Sequence, residues 1–222
     1  MLTSIVDSTD PRSIAARLRR RRFQLFERLL GQIPKPVRIL DIGGTEAFWR
    51  TVGFVSVSDV HITLLNVSPQ PVSLANFTSI VGDARDLGGF ADGSVDVVYS
   101  NSVIEHVGGH GDQRRMADEV RRVGVRYFIQ TPNRCFPLEP HFVFPFFQFL
   151  PIGLRVWLLR HADLGWHKQT SDPEAARRIV EGVRLLNRRE LLALFPGGNV
   201  FRERLLGFTK SFVVYGGWGR GS

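Results

Sequence analysis

The sequence VRILDIGGT, at residues 37–45, decides the fold of this chain. An apolar run with β-branched residues ends there at Asp41 and Ile42, two glycines follow, and residues 46–51 predict a helix. Glycines allow a sharp turn and bring a bound nucleotide close to the main chain, and the start of a helix offers unpaired N–H groups. The stretch therefore predicts a strand, a tight turn and a helix, either as an ordinary unit of an α/β domain or as one wall of a nucleotide site.

The composition of the 222 residues fits one domain, or one domain with appendages. Hydrophobic residues make up 43% and charged residues 23%, so the chain can bury a large core and the disordered class is excluded. The net charge of +8 favours an anionic partner, which is a nucleic acid, an acidic membrane surface or an anionic substrate. A single cysteine, Cys135, excludes a disulfide framework and a cysteine-based zinc site. The early segment has no signal-peptide pattern, and we expect a cytoplasmic protein.

Residues 13–33 predict a helix, because apolar residues recur there at helical spacing after an Asp-Pro start signal at residues 10–11. Its arginines form either a solvated face or a contact for the phosphates of nucleic acid or lipid. Interleaved Phe23 and Phe26 favour peripheral contact with an anionic membrane. We take residues 1–35 as a basic helical extension and residues 36–222 as the main domain. The basic cluster consists of Arg17, Arg19, Arg20, Arg21 and Arg22.

Further apolar segments alternate with helical ones, which predicts a parallel, doubly wound sheet. The strands after residues 37–42 are predicted at residues 61–66, 78–81, 95–100 and 126–131, with a helix at 113–123. Ligands of such sheets bind outside the carboxyl ends of the strands. Polar residues stand at several of these strand ends, and together they indicate a binding site more strongly than any one of them does. The polar residues at those ends are Asp41, Asn66, Asp83, Ser100, Asn101 and Asn133.

The second half of the chain contains an aromatic segment at residues 136–159, which its prolines interrupt too often for a transmembrane helix. We assign residues 134–170 to an insertion. It is either core or a dimer interface, or else an apolar pocket or membrane-facing lid for a lipid-like, quinone-like or glycolipid acceptor. Residues 187–195 then predict a helix with Asn187 as its cap. Residues 199–206 and 210–215 predict an antiparallel hairpin that closes the sheet.

Five motifs, taken in order and spacing, resemble class I S-adenosylmethionine-dependent methyltransferases of the broad small-molecule type 11 kind. The resemblance covers about residues 36–130. It implies a Rossmann-like, doubly wound, seven-stranded, mostly parallel sheet with an antiparallel C-terminal hairpin. It also implies S-adenosyl-L-methionine as cofactor and methyl transfer to a small-molecule or lipid-like acceptor. The motifs are LDIGG at 40–44, GDA at 82–84, FADGSVDVV at 90–98, NSVIEHV at 101–107 and EVRRV at 119–123.

The resemblance also implies which residues hold the cofactor. Gly43 and Gly44 leave room for it, and Asp41 orders the turn or meets the methionine ammonium. The acid that takes both ribose hydroxyls in this family is replaced by Asn66, whose amide offers one acceptor and one donor group. The third glycine of the turn is replaced by Glu46, which caps the helix or meets the ammonium. Asp83 and Ala84 are implied at the adenine, and Ser100 and Asn101 at the methionine end.

Methyl transfer is an in-line displacement that needs alignment and, for an alcohol or phenol, removal of a proton. His106 follows the fourth strand and is the candidate general base, or else a packing residue of its loop. Asn133, Glu139 and His141 point to the acceptor side and are candidate substrate-binding residues. No metal site is predicted, because His106, Glu139 and His141 show no clear ligand spacing.

Three other functions compete with this interpretation. A dinucleotide dehydrogenase needs a GxGxxG turn, which residues 43–48 do not provide. A nucleic-acid methyltransferase that uses the basic first helix stays open, although residues 100–103 lack the Asn/Asp-Pro-Pro-aromatic segment of base N-methylating enzymes. A non-catalytic binding protein that kept the fold also stays open, because Asn66 weakens the expected ribose contact. The oligomeric state is not predicted.

Overall fold

A central sheet dominates the computed structural model, which describes residues 14–54 and 59–219. Its strands are β1 Val37–Ile42, β2 Val60–Asn66, β3 Phe77–Val81, β4 Val97–Asn101, β5 Tyr127–Pro132, β8 Asn199–Leu205 and β9 Phe208–Gly216, with β6 Leu138–Glu139 and β7 Phe144–Pro145 in a separate small ribbon. The sheet order is β3-β2-β1-β4-β5-β9-β8. Strands β1 to β5 are parallel, whereas β9 is antiparallel to both β5 and β8. The α/β fold predicted from the sequence is confirmed.

Helices cover both faces of the sheet. They are α1 Ile14–Leu30, α2 Glu46–Thr51, α3 His110–Val123, α4 Ile152–His161, α5 Pro173–Glu181 and α6 Arg188–Leu194, with a 3₁₀ turn at Phe147–Phe149. Side chains alternate along β1, so Leu40 and Ile42 join one core cluster while Ile39 joins the other. The first cluster contains residues of α3 and α6, and the second contains residues of α1 and α2. The central strands are therefore buried on both faces, as their apolar sequences require.

Helix α1 packs into the second of these clusters. Phe23 and Phe26 are buried, and the Phe26 ring lies 4.9 Å from Tyr99 and 5.1 Å from Phe128 between centroids. The interpretation of these two phenylalanines as membrane contacts is therefore wrong, since they are part of the core. The start signal at residues 10–11 lies outside the described residues. The proposed boundary at residue 35 stays a prediction, but α1 shares its core with the sheet.

Local signals placed most element ends within a few residues. Asn187 caps α6 as predicted: its side chain accepts a hydrogen bond from Glu190 N, and the Glu190 carboxylate accepts one from Asn187 N, both at 2.9 Å. Helix α3 starts at His110, three residues before its predicted start, because the Asp112 carboxylate accepts a hydrogen bond from Gly109 N. Strand β4 starts at Val97 and not at residue 95, because Val95 makes only an isolated bridge to Gly124.

The aromatic insertion folds into a small layer of its own. Phe142, Phe147 and Leu159 form a core cluster with Ala176 and Val180 of α5. Phe146, Phe149, Trp157 and Trp166 are exposed. Among the described residues, no helix has the length and apolar character needed to cross a bilayer. The insertion lies next to the carboxyl ends of β4 and β5, where the polar residues gather.

Candidate active site

A cleft of about 420 Å³ opens at the carboxyl ends of β1 to β4. The turn after β1 forms one wall, the end of β2 forms another, and the segment after β4 closes the third. Four of the residues predicted to bind the cofactor, Gly43, Asn66, Asp83 and Ala84, line it together. Its other lining residues are Ile42, Leu65, Val67, Gly82, Arg85, Ser102, Val103, His106, Val107 and Gly108.

The buried carboxylate of Asp41 packs against the turn after β1. Gly43 has φ +77°, and a Cβ there would lie 2.3 Å from Val103 Cγ2, so this position requires glycine. A Cβ at Gly44 would lie 1.6 Å from Asp41 Oδ2. That oxygen accepts a 2.7 Å hydrogen bond from Trp49 Nε1, and burial raises the pKa of Asp41 to about 8. Asp41 thus orders the turn, as one of its two predicted roles requires, and it does not line the cleft.

Asn66 braces the same turn from the side of β2. Its Nδ2 donates a 2.9 Å hydrogen bond to the carbonyl oxygen of Gly44. The amide oxygen is then the atom of Asn66 that is left for a ligand in the cleft. An aspartate could not donate this bond, so the departure from an acid has a structural reason that the sequence did not indicate.

Asp83 faces the cleft but already holds a cation. Arg85 Nε lies 2.9 Å from both carboxylate oxygens, and Arg85 N donates to Oδ1 at 2.9 Å. These hydrogen bonds from Arg85 hold the pKa of Asp83 below its ordinary value. Sequence reasoning missed Arg85, since the motif that places Asp83 at the cleft says nothing of its neighbour two positions on.

Glu46, Ser100 and Asn133 are among the predicted site residues that lie outside the cleft. Glu46 is buried against the loop after β2, where its carboxylate accepts hydrogen bonds from Ser73 N at 2.6 Å and Leu74 N at 3.1 Å. The Ser73 bond is the largest cause that lowers the pKa of Glu46 to about 2. Ser100 is fully buried, and its Oγ donates to Ile42 O. Asn133 ties β5 to the β8–β9 hairpin, because its Nδ2 donates to Thr209 O at 2.7 Å. The structure therefore gives each of these side chains a bracing contact, away from the cofactor and acceptor positions predicted for them.

A second cavity, of about 230 Å³, lies beyond the ends of β4 and β5. We call it the basic cavity, because Arg19, Arg22 and Lys210 line it. Asn101, predicted at the cofactor, lines this cavity and not the cleft. The remaining lining residues are Leu18, Ser102, Gln130, Pro132, Phe136, Pro140, His141, Trp166, Glu203 and Ser211. Sequence reasoning missed this cavity, because α1 and β9 meet β4 only in the folded chain.

Ser102 lines both the cleft and the basic cavity. Its φ of +57° places it in the left-handed region, which is uncommon for a residue with a side chain. The conformation is held by two contacts with Gln130, from Ser102 N to the carbonyl oxygen at 3.1 Å and from Ser102 Oγ to Oε1 at 2.8 Å. Strained residues of this kind cluster at functional sites. Ser102 is therefore the point where the two cavities meet.

Two histidines flank this junction. His106 lines the cleft, His141 lines the basic cavity, and their rings meet edge to face with centroids 4.8 Å apart. Glu139 orients His141 through a 2.7 Å contact from Oε1 to Nδ1, while its Oε2 accepts hydrogen bonds from His141 N and Phe142 N. Burial opposes it, but Glu139 holds the pKa of His141 above its ordinary value. Partial burial and the neighbouring His141 lower the pKa of His106.

Glu105 completes this cluster from inside the protein. It is fully buried, its Oε2 accepts a 3.0 Å bond from Thr131 Oγ1, and burial raises its pKa to about 7. Ligand atoms of Glu105, His106 and His141 lie within 4.8 Å of one another. Two ligands of a tetrahedral zinc ion, each about 2.1 Å from it, are about 3.4 Å apart. The three groups are therefore close enough to hold a metal ion or to exchange protons with one another.

Comparison with known proteins identifies the scaffold around the cleft. The family model described as "Methyltransferase domain" (Methyltransf_11) matches residues 40–125. This segment is a class I S-adenosylmethionine-dependent methyltransferase domain. The resemblance drawn from the sequence motifs is thereby confirmed. Every residue that lines the cleft lies within the matched methyltransferase domain.

Two curated relatives match part of the chain. They are the uncharacterized proteins MT1557 and Rv1509 of Mycobacterium tuberculosis, each 32% identical over 88 residues. The match covers 40% of this chain and 29% of each relative, so the chain matches under a third of their length.

Solved structures of methyltransferases share the fold. The CurJ carbon methyltransferase superposes with a TM-score of 0.59 at 13% identity, over 97% of this chain and 57% of that one. An S-adenosylmethionine-dependent methyltransferase from Aquifex aeolicus gives a TM-score of 0.53 at 12% identity, over 97% of both chains. The N-terminal domain of EvdMO1, solved with S-adenosylhomocysteine bound, gives 0.52 at 17% identity, over 94% of this chain and 81% of that one. At these identities the likeness supports the fold of the methyltransferase domain.

Proposed function

We propose that this protein binds S-adenosyl-L-methionine in the cleft and transfers its methyl group to a small-molecule acceptor in the basic cavity. The observation that carries the proposal is the position of Ser102, which lines both spaces. A methyl donor on one side and a nucleophile on the other would meet there. Proximity and alignment supply most of what a displacement reaction needs from a protein.

The residues of the cleft fit the proposed cofactor. Its volume of about 420 Å³ lies within the range of about 300–1,000 Å³ that small-molecule sites occupy. Apolar side chains line most of it, and Asn66 and Asp83 add polar groups on neighbouring strands. Asn66 would hold a ribose hydroxyl through its amide oxygen, and Asp83 with the backbone N–H of Ala84 would hold the adenine. When bound, the cofactor supplies a sulfonium methyl group as the electrophile.

Arg85 changes how Asp83 meets a ligand. The Asp83 carboxylate accepts hydrogen bonds from the Arg85 guanidinium, so a ligand amino group has to share that acceptor. Arg85 has other partners within reach, at Val107 O (3.3 Å) and Asp112 Oδ1 (3.4 Å). We expect Arg85 to move toward these when the adenine is bound.

The histidine pair would remove the proton of an alcohol or phenol acceptor. His141 is the better base, because Glu139 orients its ring and raises its pKa, and because its Nε2 is left for an acceptor. A catalytic base works best when its pKa lies near the working pH. The sequence alone favours His106 as the general base. We propose instead that His106 is the neutral partner of His141, that it faces the cleft, and that it relays the proton.

The membrane and nucleic-acid alternatives receive less support. The two aromatic residues that favoured membrane contact are buried in the core. Of the basic cluster, Arg22 is buried and Arg19 half-buried at the basic cavity, which leaves Arg17, Arg20 and Arg21 exposed on α1.

Calorimetry with S-adenosylhomocysteine tests the donor half of the proposal. We expect binding at micromolar to millimolar concentration, and weaker binding in Asp83→Ala. No heat of binding at millimolar ligand would overturn the proposal and favour the non-catalytic alternative. A radiolabelled methyl transfer assay on fractionated small molecules, with lipid and nucleic-acid fractions as separate arms, then tests the acceptor half.

A further inference from the structure

We propose that the basic cavity binds the anionic group of the acceptor, which is a carboxylate or a phosphate. The side chains that would hold it are those of Lys210, Arg22 and Arg19. This inference rests on the proposed function, because it assigns the cavity to the acceptor. It narrows the acceptor to a small acid with an apolar body.

Positive charge dominates the lining of the cavity. Lys210 from β9 and Arg19 and Arg22 from α1 face a single carboxylate among its described lining residues, that of Glu203. Glu203 is 3% exposed, so it cannot be screened by water in the way that a surface residue is. The described lining of the cavity therefore has three cationic side chains and one carboxylate.

One oxygen of that carboxylate is already bound, while its Oε1 has no hydrogen-bond partner among the described residues. Arg22 Nη1 lies 3.0 Å from Glu203 Oε2, and Ser211 Oγ donates to the same oxygen. Both partners of the ion pair are buried, Arg22 at 7% exposure and Glu203 at 3%. Burial, together with the nearby Arg22 and Arg19, lowers the pKa of Lys210. Glu203 acts against this lowering but does not offset it, and an anion in the cavity would add a second negative charge beside the three cationic side chains.

An unpartnered donor points the same way. Arg22 Nε is buried and has no hydrogen-bond partner among the described residues. Buried N–H groups are almost always paired, because leaving one unmade costs its full desolvation penalty. Since Arg22 lines the cavity, an anionic oxygen from a ligand is the natural acceptor for this group.

The rest of the lining sets the orientation of the acceptor. Phe136, Pro140 and Trp166 give apolar contacts, while Ser102 and His141 lie at the junction with the cleft. An acid bound by Lys210 and Arg22 would therefore place its apolar body along the aromatic wall and its nucleophile near His141. This arrangement uses the anionic group for binding and leaves the far end of the acceptor for the reaction.

Three probes test the inference without any knowledge of the true acceptor: benzoate, phenyl phosphate and neutral benzamide. Their dissociation constants are measured by nuclear magnetic resonance titration with S-adenosylhomocysteine present. We expect at least one anion to bind about tenfold or more tightly than benzamide, the loss of one charge-assisted contact being of that order. Tighter binding of phenyl phosphate would assign a phosphate, and tighter binding of benzoate a carboxylate.

Matched variants locate the binding. Lys210→Gln should remove the preference for the anion, Lys210→Arg should restore it, and Arg21→Gln, which changes an exposed arginine of the same helix, should leave it intact. Thermal melting checks that each variant is folded. Equal binding of benzamide and the anions, no detectable anion binding at millimolar concentration, or an unchanged preference in folded Lys210→Gln would overturn the inference. Binding of S-adenosylhomocysteine is measured separately, so failure of the proposed function is distinguishable from failure of the anion site.

Discussion

The imidazole ring of His106 stands edge-on to that of His141, with 4.8 Å between their centroids, at the junction of two cavities. One ring faces the cleft of the methyltransferase domain and the other faces the basic cavity. Because Glu139 raises the pKa of His141, while burial and then His141 lower that of His106, the two imidazoles differ in basicity although they are in contact. A proton on the pair is therefore held by His141, and His106 stays neutral.

The first prediction concerns the pH dependence of turnover. His141 must be neutral to accept a proton, so the rate should rise with pH through its pKa, which lies above the ordinary value of about 6.5. Glu139→Gln removes the charge that raises this pKa and should shift the rising limb to lower pH. His141→Asn should reduce kcat about 10²- to 10⁴-fold with little change in cofactor affinity. His61→Asn, an exposed site on β2, is the control; an unshifted limb in Glu139→Gln would contradict the assignment.

The second prediction separates Asp83 from its partner. Asp83→Ala should weaken binding of S-adenosylhomocysteine about tenfold or more, because a charge-assisted hydrogen bond to the adenine is lost. Arg85→Gln leaves the carboxylate free for the ligand and should cost less than Asp83→Ala. Calorimetry measures both, with Asp86→Ala, exposed in the same loop, as the control. If Arg85→Gln lost as much affinity as Asp83→Ala, the ion pair itself would be the binding element.

The third prediction concerns Asn66→Asp, which restores the acid of the family pattern. The new carboxylate cannot donate to Gly44 O and would repel it, so the free energy of unfolding should fall by about 1 kcal/mol. The same carboxylate can accept both ribose hydroxyls, so cofactor affinity should rise. Thermal melting and calorimetry on one preparation test these opposite effects. A variant that loses both stability and affinity would mean that the Gly44 turn, and not the ribose contact, governs binding.

The fourth prediction concerns stability as a function of pH. Burial raises the pKa of Asp41 to about 8 from about 4, so between these values the folded chain holds a proton that the unfolded chain releases. The free energy of unfolding should therefore fall as pH rises through this window. Asp41→Asn keeps an acceptor for Trp49 Nε1 and removes the titration, so urea denaturation at pH 5 and pH 8 should show a smaller difference than in the wild type.

Glu46 supplies a contrast of opposite sign for the same experiment. Its pKa is lowered to about 2, so its contribution is present above about pH 4.5 and is lost as the pH falls toward 2. Glu46→Gln should therefore leave the difference between pH 5 and pH 8 nearly unchanged. An equal change in both variants would show that the slope arises elsewhere.

The sequence predicted the sheet because its signals are local. Strand β1 and helix α2 have the predicted bounds, since the glycines and the cap residue Thr45 fix both ends of the turn. Parallel strands bring their carboxyl ends together, and Gly43, Asn66 and Asp83 accordingly share one cleft. The motif order was sufficient for the methyltransferase domain, which the family match confirms.

The direction of individual side chains was beyond the same reasoning. Glu46 turns to the Ser73 loop, and Ser100 turns to the β1 carbonyl, although both stand beside residues of the cleft. Their partners come from other strands and loops, so no spacing within the motif reveals them. The sequence also did not indicate which arginines of α1 are buried. A cluster of five arginines has the same pattern whether Arg22 is exposed to solvent or paired with Glu203.

The two cavities differ in where their walls come from. All the walls of the cleft lie within residues 40–125, whereas of the basic cavity only Asn101 and Ser102 do. The two cavities are thus built from different parts of the sequence. Chains that resemble this one only over residues 40–125 can share the cleft and differ in the lining of the basic cavity. Under the proposed function, substitutions of lining residues outside 40–125 should therefore change the acceptor and leave the cofactor cleft intact.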